Sequence, residues 1–317
     1  MEFKDFPFVS VIIPVKNEEQ LISRCLSSVI SQNYPKDKFE IIVVDNDSVD
    51  NTKNIISRFD GIKILEKSGT IGTVRNYGGK SAKGELLAFL DGDCVPEKDW
   101  LKKAIKTNRT SPMTAVVGAI IVVENVNSAP WIERYWIEYL NSKFIDQINY
   151  VTTISSFCFI IRKDVMNEVG WFNESLKTCE DSDLGYRITQ ANYKLVIDKD
   201  IKTIHLRNAK TSMQFFRRQL WQGGSNIKNV FYHKITLREA PSIAIPICYL
   251  IAFMALIISI LLSLKMYIYI SFAILFLLPL GISIYSTPKK QILKILGYTY
   301  IWFLYLLARG LGILVKL

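Results

Sequence analysis

Two aspartates separated by one glycine, Asp91 and Asp93, close the apolar run Leu86 to Leu90. Such a short run reads as a buried strand, so both carboxylates are expected at the carboxyl edge of a sheet, where open α/β sheets bind ligands. Gly92 is expected to let the backbone turn sharply there. Carboxylates this close repel one another unless water or a cation lies between them, and hard oxygen ligands suit Mg²⁺ or Mn²⁺. An ordinary Asp-Gly turn at a strand end is the plainer alternative. A second acidic site, Glu180-Asp181 with Asp183, precedes a helix expected from Leu184 to Ala191. Acids favour helix N-termini, but three in four positions exceed what capping needs.

Strands and helices alternate over the first 110 residues and must position these groups. Ser10 to Val15 and Phe39 to Val44 are β-branched apolar runs. A helix is expected to open at Asn17-Glu18-Glu19, carrying Leu21, Cys25, Leu26, Val29 and Ile30 at helical spacing, and another spans Asp50 to Phe59. A short strand at Ile62 to Leu65, a glycine-bearing loop and a helix carrying Arg75 follow, and beyond the aspartates a helix covers about residues 97–109. The pattern predicts an α/β fold with a mostly parallel, nucleotide-binding type of sheet. Further strands are expected at Ala115 to Val123, Ser156 to Arg162, Leu195 to Ile197 and Ile201 to Leu206, the last ending near His205. Between them, Trp131, Tyr135, Trp136 and Tyr139 stand at helical spacing, which favours core over an acceptor channel.

Charge and hydropathy divide the chain. Residues 1–198 carry 24 Lys+Arg and 27 Asp+Glu, residues 199–240 carry 9 and 2, and residues 241–317 carry 6 and 0. The net charge of +10 therefore reflects a basic collar and tail, not a domain built for nucleic acid. Ile243 to Leu264 and Met266 to Ser286 are each long enough to cross a ~30 Å hydrocarbon core as a hairpin. A third apolar segment from Ile292 contains Arg309, expected to snorkel near the far interface. Lys289 and Lys290 return to the collar side, which agrees with positive loops facing the cytosol. The expected division is a catalytic domain over 1–210, a basic amphipathic interfacial segment over 211–240, and a membrane region over 241–317 with two to three spans. Five scattered cysteines and two histidines argue against a zinc framework or disulfides. The N-terminus does not read as a signal peptide, so the catalytic domain of an integral membrane protein is expected on the cytosolic side.

The segments SVIIPVKNEE, IIVVDNDSVDNT, GTVRNYGGKSAKGELLAFLDGDC, GWFNESLKTCEDSDLGYRI and FFRRQLWQGG, in this order, resemble the family 2 inverting glycosyltransferases of GT-A fold. The resemblance covers about two thirds of the chain. It implies a nucleotide-sugar donor lying along Pro14, Val15 and Glu18, with its base read by Asp45 and Asn46, where many relatives have two aspartates. It places Arg75 near the diphosphate. Asp91-Gly92-Asp93 corresponds to the DxD element, with Asp93 as the direct ligand of Mg²⁺ or Mn²⁺, Asp91 nearer the ribose, and His205 at a position where some relatives supply a further metal ligand. Glu180-Asp181 corresponds to the catalytic pair, with Asp181 as general base. Arg218 and Trp221 resemble the QxxRW element of processive synthases in altered order, and Arg217 and Arg218 suit a phosphate. The implied reaction is transfer of one sugar to a lipid-linked glycan at the membrane. A polyprenyl phosphate acceptor or processive synthesis is the alternative.

Overall fold

Apolar runs flanked by turn residues on both sides demand a sheet covered on both faces, and the computed structural model builds one from nine strands. They are β1 (Val9–Val15), β2 (Phe39–Asp45), β3 (Ile62–Glu66), β4 (Leu86–Leu90), β5 (Cys94–Pro96), β6 (Thr114–Val122), β7 (Ile148–Val151), β8 (Cys158–Arg162) and β9 (Lys194–His205). The structure describes residues 6–232, 240–287 and 289–316. The end of the basic collar, His233 to 239, lies outside the described residues.

The strand order is β3-β2-β1-β4-β8-β6-β9-β5, with β7 also paired to β9. Pairing is parallel from β3 through β4, as the alternating pattern predicts. Beyond β4 the sheet becomes mixed, because β8 runs antiparallel to both β4 and β6. The two expected closing strands are one continuous strand, β9, whose register against β6 shifts between Asp198 and Lys202. Alternation assigns the faces of β1. Val9, Val11, Ile13 and Val15 join one core with Cys25, Leu26 and Val29 of α1 (Ile22–Ile30) and Trp100 and Leu101 of α4 (Trp100–Asn108). Ile12 joins the opposite core with Val74, Val165, Leu184 and Ile188. These come from α3 (Ile71–Lys80), α6 (Lys163–Val169) and α7 (Glu180–Gln190). The intervening α2 is only Thr52–Ile56, shorter than the sequence suggests.

This sheet unit comprises residues 1–122 and 144–207. A second unit combines residues 123–143 with 208–317, so the aromatic helix α5 (Trp131–Ser142) groups with the C-terminal helices. Those are α8 (Ser212–Tyr232), α9 (Ala240–Leu261), α10 (Lys265–Ser286) and α11 (Ile295–Lys316). Of the α5 aromatics, Tyr135, Trp136 and Tyr139 are half-buried and pack on neighbouring rings, whereas Trp131 is exposed and so departs from the core expectation. Trp136 meets Phe215 of α8 edge-on at 5.0 Å and Tyr305 of α11 at 5.8 Å, and Tyr135 stacks on Tyr298 at 5.1 Å. Helices α8 and α11 approach so closely that a Cβ on Gly312 would lie 2.1 Å from the Leu220 carbonyl oxygen. Arg309, expected to snorkel, is held by α8: its Nε donates to Gln219 Oε1 (3.0 Å) and an Nη to Gln222 Oε1 (2.8 Å). A guanidinium in an apolar helix needs acceptors, and the glutamines of the polar α8 provide them.

Candidate active site

The site in the sheet unit begins where β1 and β2 end side by side, with Val15 paired to Asp45. The expected helix at Asn17 does not open there. Asn17 adopts a left-handed φ of 54° and the chain forms a loop held from the β2 side. The Ser48 hydroxyl accepts from Asn17 N (3.0 Å), Thr52 Oγ1 from Glu18 N (2.7 Å) and Asp50 Oδ2 from Glu19 N (3.2 Å). The polar run after β2 thus satisfies backbone donors that a helix start would have left open. Asp45 is buried, and its Oδ2 accepts from Ser48 N (3.0 Å), whereas its Oδ1 has no hydrogen-bond partner among the described residues. A buried acceptor left open suits a ligand donor. Asn46, expected to help read a base, uses both ends of its amide on Gly69: Nδ2 donates to the carbonyl and Oδ1 accepts from the N–H, each at 3.1 Å. It fastens the loop after β3.

Gly92 does not serve a left-handed turn, since its φ is not positive. What it provides is close approach, because an added Cβ would lie 3.0 Å from Val15 Cγ1 and 3.5 Å from the Pro14 carbonyl oxygen. The DxD segment therefore packs directly on the end of β1. Its two carboxylates then diverge. Asp91 accepts from Arg75 Nη2 (2.7 Å), and Arg75 Nη1 donates to Glu180 Oε1 (2.6 Å). Burial disfavours the charge on Arg75, but Asp91 and Glu180 outweigh it and raise its pKa. The fork expected beside a diphosphate is occupied by two carboxylates, 16 and 105 residues away in sequence.

Asp93 is brought to His205 by the pairing of β5 with β9, in which Cys94 stands opposite His205. Asp93 Oδ2 lies 3.7 Å from His205 Nδ1, and the donor atoms of Asp93, Cys94 and His205 all fall within 4.8 Å of one another. Carboxylate and imidazole so placed fit a divalent cation of the Mn²⁺ or Mg²⁺ kind, with Asp93 as the hard ligand. Glu18 adds a carboxyl whose pKa burial raises to about 7, with Asp93 and Asp91 adding to the rise and Arg207, 2.9 Å away, opposing it.

The three acids of α7 have separate partners. Asp183 pairs with Arg187 (2.7 Å), which also donates to the carbonyls of Val169, Gly170 and Trp171. Glu180 holds Arg75. Asp181 accepts from Ser156 N (3.2 Å) and Ser182 N (2.8 Å), neither of them a cation. Burial, then the neighbouring Glu180 charge, raise the pKa of Asp181 to about 6, against the opposing pull of Arg75. A carboxylate with that pKa is ionised at neutral pH yet is a better proton acceptor than an ordinary aspartate.

Pro14, Val15, Glu18, Asp45, Asp91, Gly92, Asp93, Glu180, Asp181 and His205 thus all belong to the sheet unit, and the contacts above link them in groups. Arg218 and Trp221 lie on α8 in the second unit, where Trp221 is exposed. Sequence reasoning missed Arg207, which pairs with Glu18, and Ser156, which holds Asp181. Arg207 lies two residues past His205 in a charge-rich stretch, a faint signal, and Ser156 had none.

Carboxylates at the sheet edge, a fork between them and a half-buried carboxylate of raised pKa form the candidate site on a GT-A-like scaffold. The family model for glycosyl transferase family 2 matches residues 10–170. Glycosyltransferase AglE of Haloferax volcanii is 34% identical over 246 residues, 75% of this chain and 79% of that protein. The dolichyl N-acetyl-alpha-D-glucosaminyl phosphate 3-beta-D-2,3-diacetamido-2,3-dideoxy-beta-D-glucuronosyltransferase of Methanococcus voltae is 36% identical over 135 residues, 38% of this chain and 42% of that one. Among solved structures, mannosyltransferase PcManGT from Pyrobaculum calidifontis, in complex with GDP-Man and Mn²⁺, superposes with a TM-score of 0.67 at 19% identity, over 98% of this chain and 88% of that chain. The chain belongs to glycosyl transferase family 2 and is a glycosyltransferase with three C-terminal helices long and apolar enough to cross a membrane.

Proposed function

We propose that this enzyme is a metal-dependent inverting transferase that moves one sugar from a nucleotide-sugar donor to a lipid-linked glycan hydroxyl at the cytosolic membrane face. The observation that carries the reading is the division of labour among the carboxylates. Arg75 ties Asp91 to Glu180 and leaves Asp181 beside neutral donors, with a pKa of about 6. In this reading the backbone ends of β1 and β2, with Pro14, Val15 and Asp45, bind the nucleoside. Asp93 and His205 hold Mg²⁺ or Mn²⁺, which when bound supplies positive charge against the departing diphosphate. Asp181 takes the acceptor hydroxyl proton during attack on the anomeric carbon. Arg75 acts through Asp91 and Glu180 as a positioning residue. The complex of PcManGT with GDP-Man and Mn²⁺ supports donor class and cation, and the dolichyl-linked acceptor in the Methanococcus voltae name supports the lipid-linked acceptor.

The test is thermal stabilisation of the detergent-purified protein by UDP-, GDP- and dTDP-sugars with Mn²⁺ or Mg²⁺, since a ligand bound only by the native state raises apparent stability. The reading predicts a cation-dependent shift with one nucleotide class, lost in Asp93→Ala. No shift with any donor from folded protein would overturn the donor assignment. With the donor known, hydroxyl transfer to a lipid-linked glycan is the expected product. A product on the lipid phosphate, or a polymer, would replace this acceptor reading.

A further inference from the structure

We infer that α11, although long enough to span a bilayer, does not cross it but lies in the leaflet on the collar side, leaving the α9/α10 hairpin as the crossing element. At 22 residues and ~1.5 Å per residue, its length of ~33 Å does not decide the matter. Its contacts do. A third span following α10 would run back along the hairpin and bring its C-terminal turns beside the α9/α10 turn at residues 262–264. Instead, α11 begins at the collar end, where the Ser283 hydroxyl donates to the Ile295 carbonyl (3.0 Å) and Trp302 Nε1 donates to Ser286 Oγ (3.3 Å). Eight residues past Trp302, α11 is still at that end. A Cβ on Gly310 would lie 2.6 Å from the Pro246 carbonyl oxygen, and Pro246 is in the second turn of α9. Between these points Leu306 packs with Tyr249 and Leu275, and Phe303 meets the Tyr249 ring at 6.3 Å.

Around the hairpin turn, Ile258, Ile260, Leu261, Met266, Tyr269 and Phe272 are exposed, while Ser259 and Ser271 are buried. Tyr249 and Leu250 on the collar half of α9 and Leu275 at the midpoint of α10 are buried, although Leu277, Ile284 and Tyr285 nearer the collar are exposed.

The other side of α11 is occupied by helices that carry charge. Glu138 of α5 accepts from Lys294 Nζ (2.6 Å) and from the Tyr298 hydroxyl (3.2 Å). Ser212 of α8 bonds the Tyr300 hydroxyl at 3.1 Å, and Gln219 and Gln222 hold Arg309. A spanning α11 would carry these partners, with Glu133 and Arg217 on the same helices, into the hydrocarbon core, where each charge costs several kcal/mol. An in-plane α11 keeps them at headgroup depth and turns the exposed Leu296 and Leu314, with Leu293 just before the helix, toward the acyl chains of one leaflet.

The test is site-directed spin labelling of the full chain in lipid vesicles, with single labels at Leu293, Leu296, Phe303, Leu307, Leu311 and Leu314, read as accessibility to oxygen against a water-soluble nickel chelate. An in-plane helix gives depths that oscillate with the helical period about one constant value. A depth that rises to the bilayer centre and falls again would overturn the inference. Vesicle sidedness supplies a second reading. A membrane-impermeant maleimide is expected to label Lys316→Cys from the same face as Lys106→Cys in the catalytic unit, and opposite to Lys265→Cys at the hairpin turn. Labelling of Lys316→Cys together with Lys265→Cys would refute it.

Discussion

Replacing Arg75 with methionine removes the guanidinium between Asp91 and Glu180 while keeping most of the side-chain bulk. The Glu180 carboxylate is 7% exposed and Asp91 is 30% exposed. Removing one partner of a buried ion pair costs ~3–5 kcal/mol, because a charge is left without compensation. Asp91 retains access to water, so its share follows that of a partly exposed pair, ~1 kcal/mol or less. Most of the loss therefore comes from Glu180, and the expected destabilisation is ~3–4 kcal/mol, or roughly 6–16 °C in Tm for a domain of this size. Differential scanning fluorimetry on detergent-purified protein reads the shift. The decisive comparison adds Glu180→Gln to Arg75→Met. If the penalty is an uncompensated buried carboxylate, the neutral amide returns ~2 kcal/mol of it, although Glu180→Gln alone destabilises. A Tm change below about 2 °C in Arg75→Met, or further loss in the double variant, would refute the reasoning.

The pH profile of kcat/KM is expected to fall with unit slope below about pH 6, since Asp181 accepts a proton only when ionised and its pKa is raised to about 6. Glu180→Gln should move that limb to lower pH, because the Glu180 charge is one cause of the rise. Because burial raises this pKa, ionising Asp181 opposes folding, so stability from the protonated form is present at low pH and lost as pH rises through about 6. Gly92→Ala should destabilise by ~1–3 kcal/mol, since its methyl would press on the Val15 side chain at the end of β1, and it should weaken donor binding measured by calorimetry. Asn46→Ala removes two reciprocal bonds to Gly69 and is expected to cost ~1–2 kcal/mol and to speed proteolysis at the loop around residues 67–70.

Strands β1, β2 and β4 were legible because they are largely buried on both faces and so are mostly apolar, whereas edge strand β3, with Lys63, Ile64 and Glu66 exposed, carries a shorter signal. The same residues could not reveal that β8 inserts antiparallel beside β4, since pairing direction depends on how the chain returns, not on composition. The DxD and Glu180-Asp181 acids stood out because unpaired acids at the ends of apolar elements are costly without a purpose. What Arg75 and Asn46 bind was not legible. Both groups suit a ligand by chemistry, and only tertiary closure shows that Glu180, 105 residues from Arg75, and the Gly69 backbone occupy them. Helix starts failed for a related reason. Asn17 to Glu19 carry helix-opening residue types, but their backbone N–H groups bond to side chains after β2. Hydropathy likewise marked Arg309 as a solitary charge in an apolar segment, whereas its glutamine acceptors lie some 90 residues earlier.

The central claim is that Asp181 is the proton acceptor and stands apart from donor binding. Asp181→Asn tests it most directly, measured as single-turnover transfer to a lipid-linked glycan alongside cation-dependent donor stabilisation. The account predicts unchanged donor stabilisation with transfer slowed ~10²–10⁴-fold. Transfer within a few-fold of the unaltered enzyme, with donor binding intact, would contradict it.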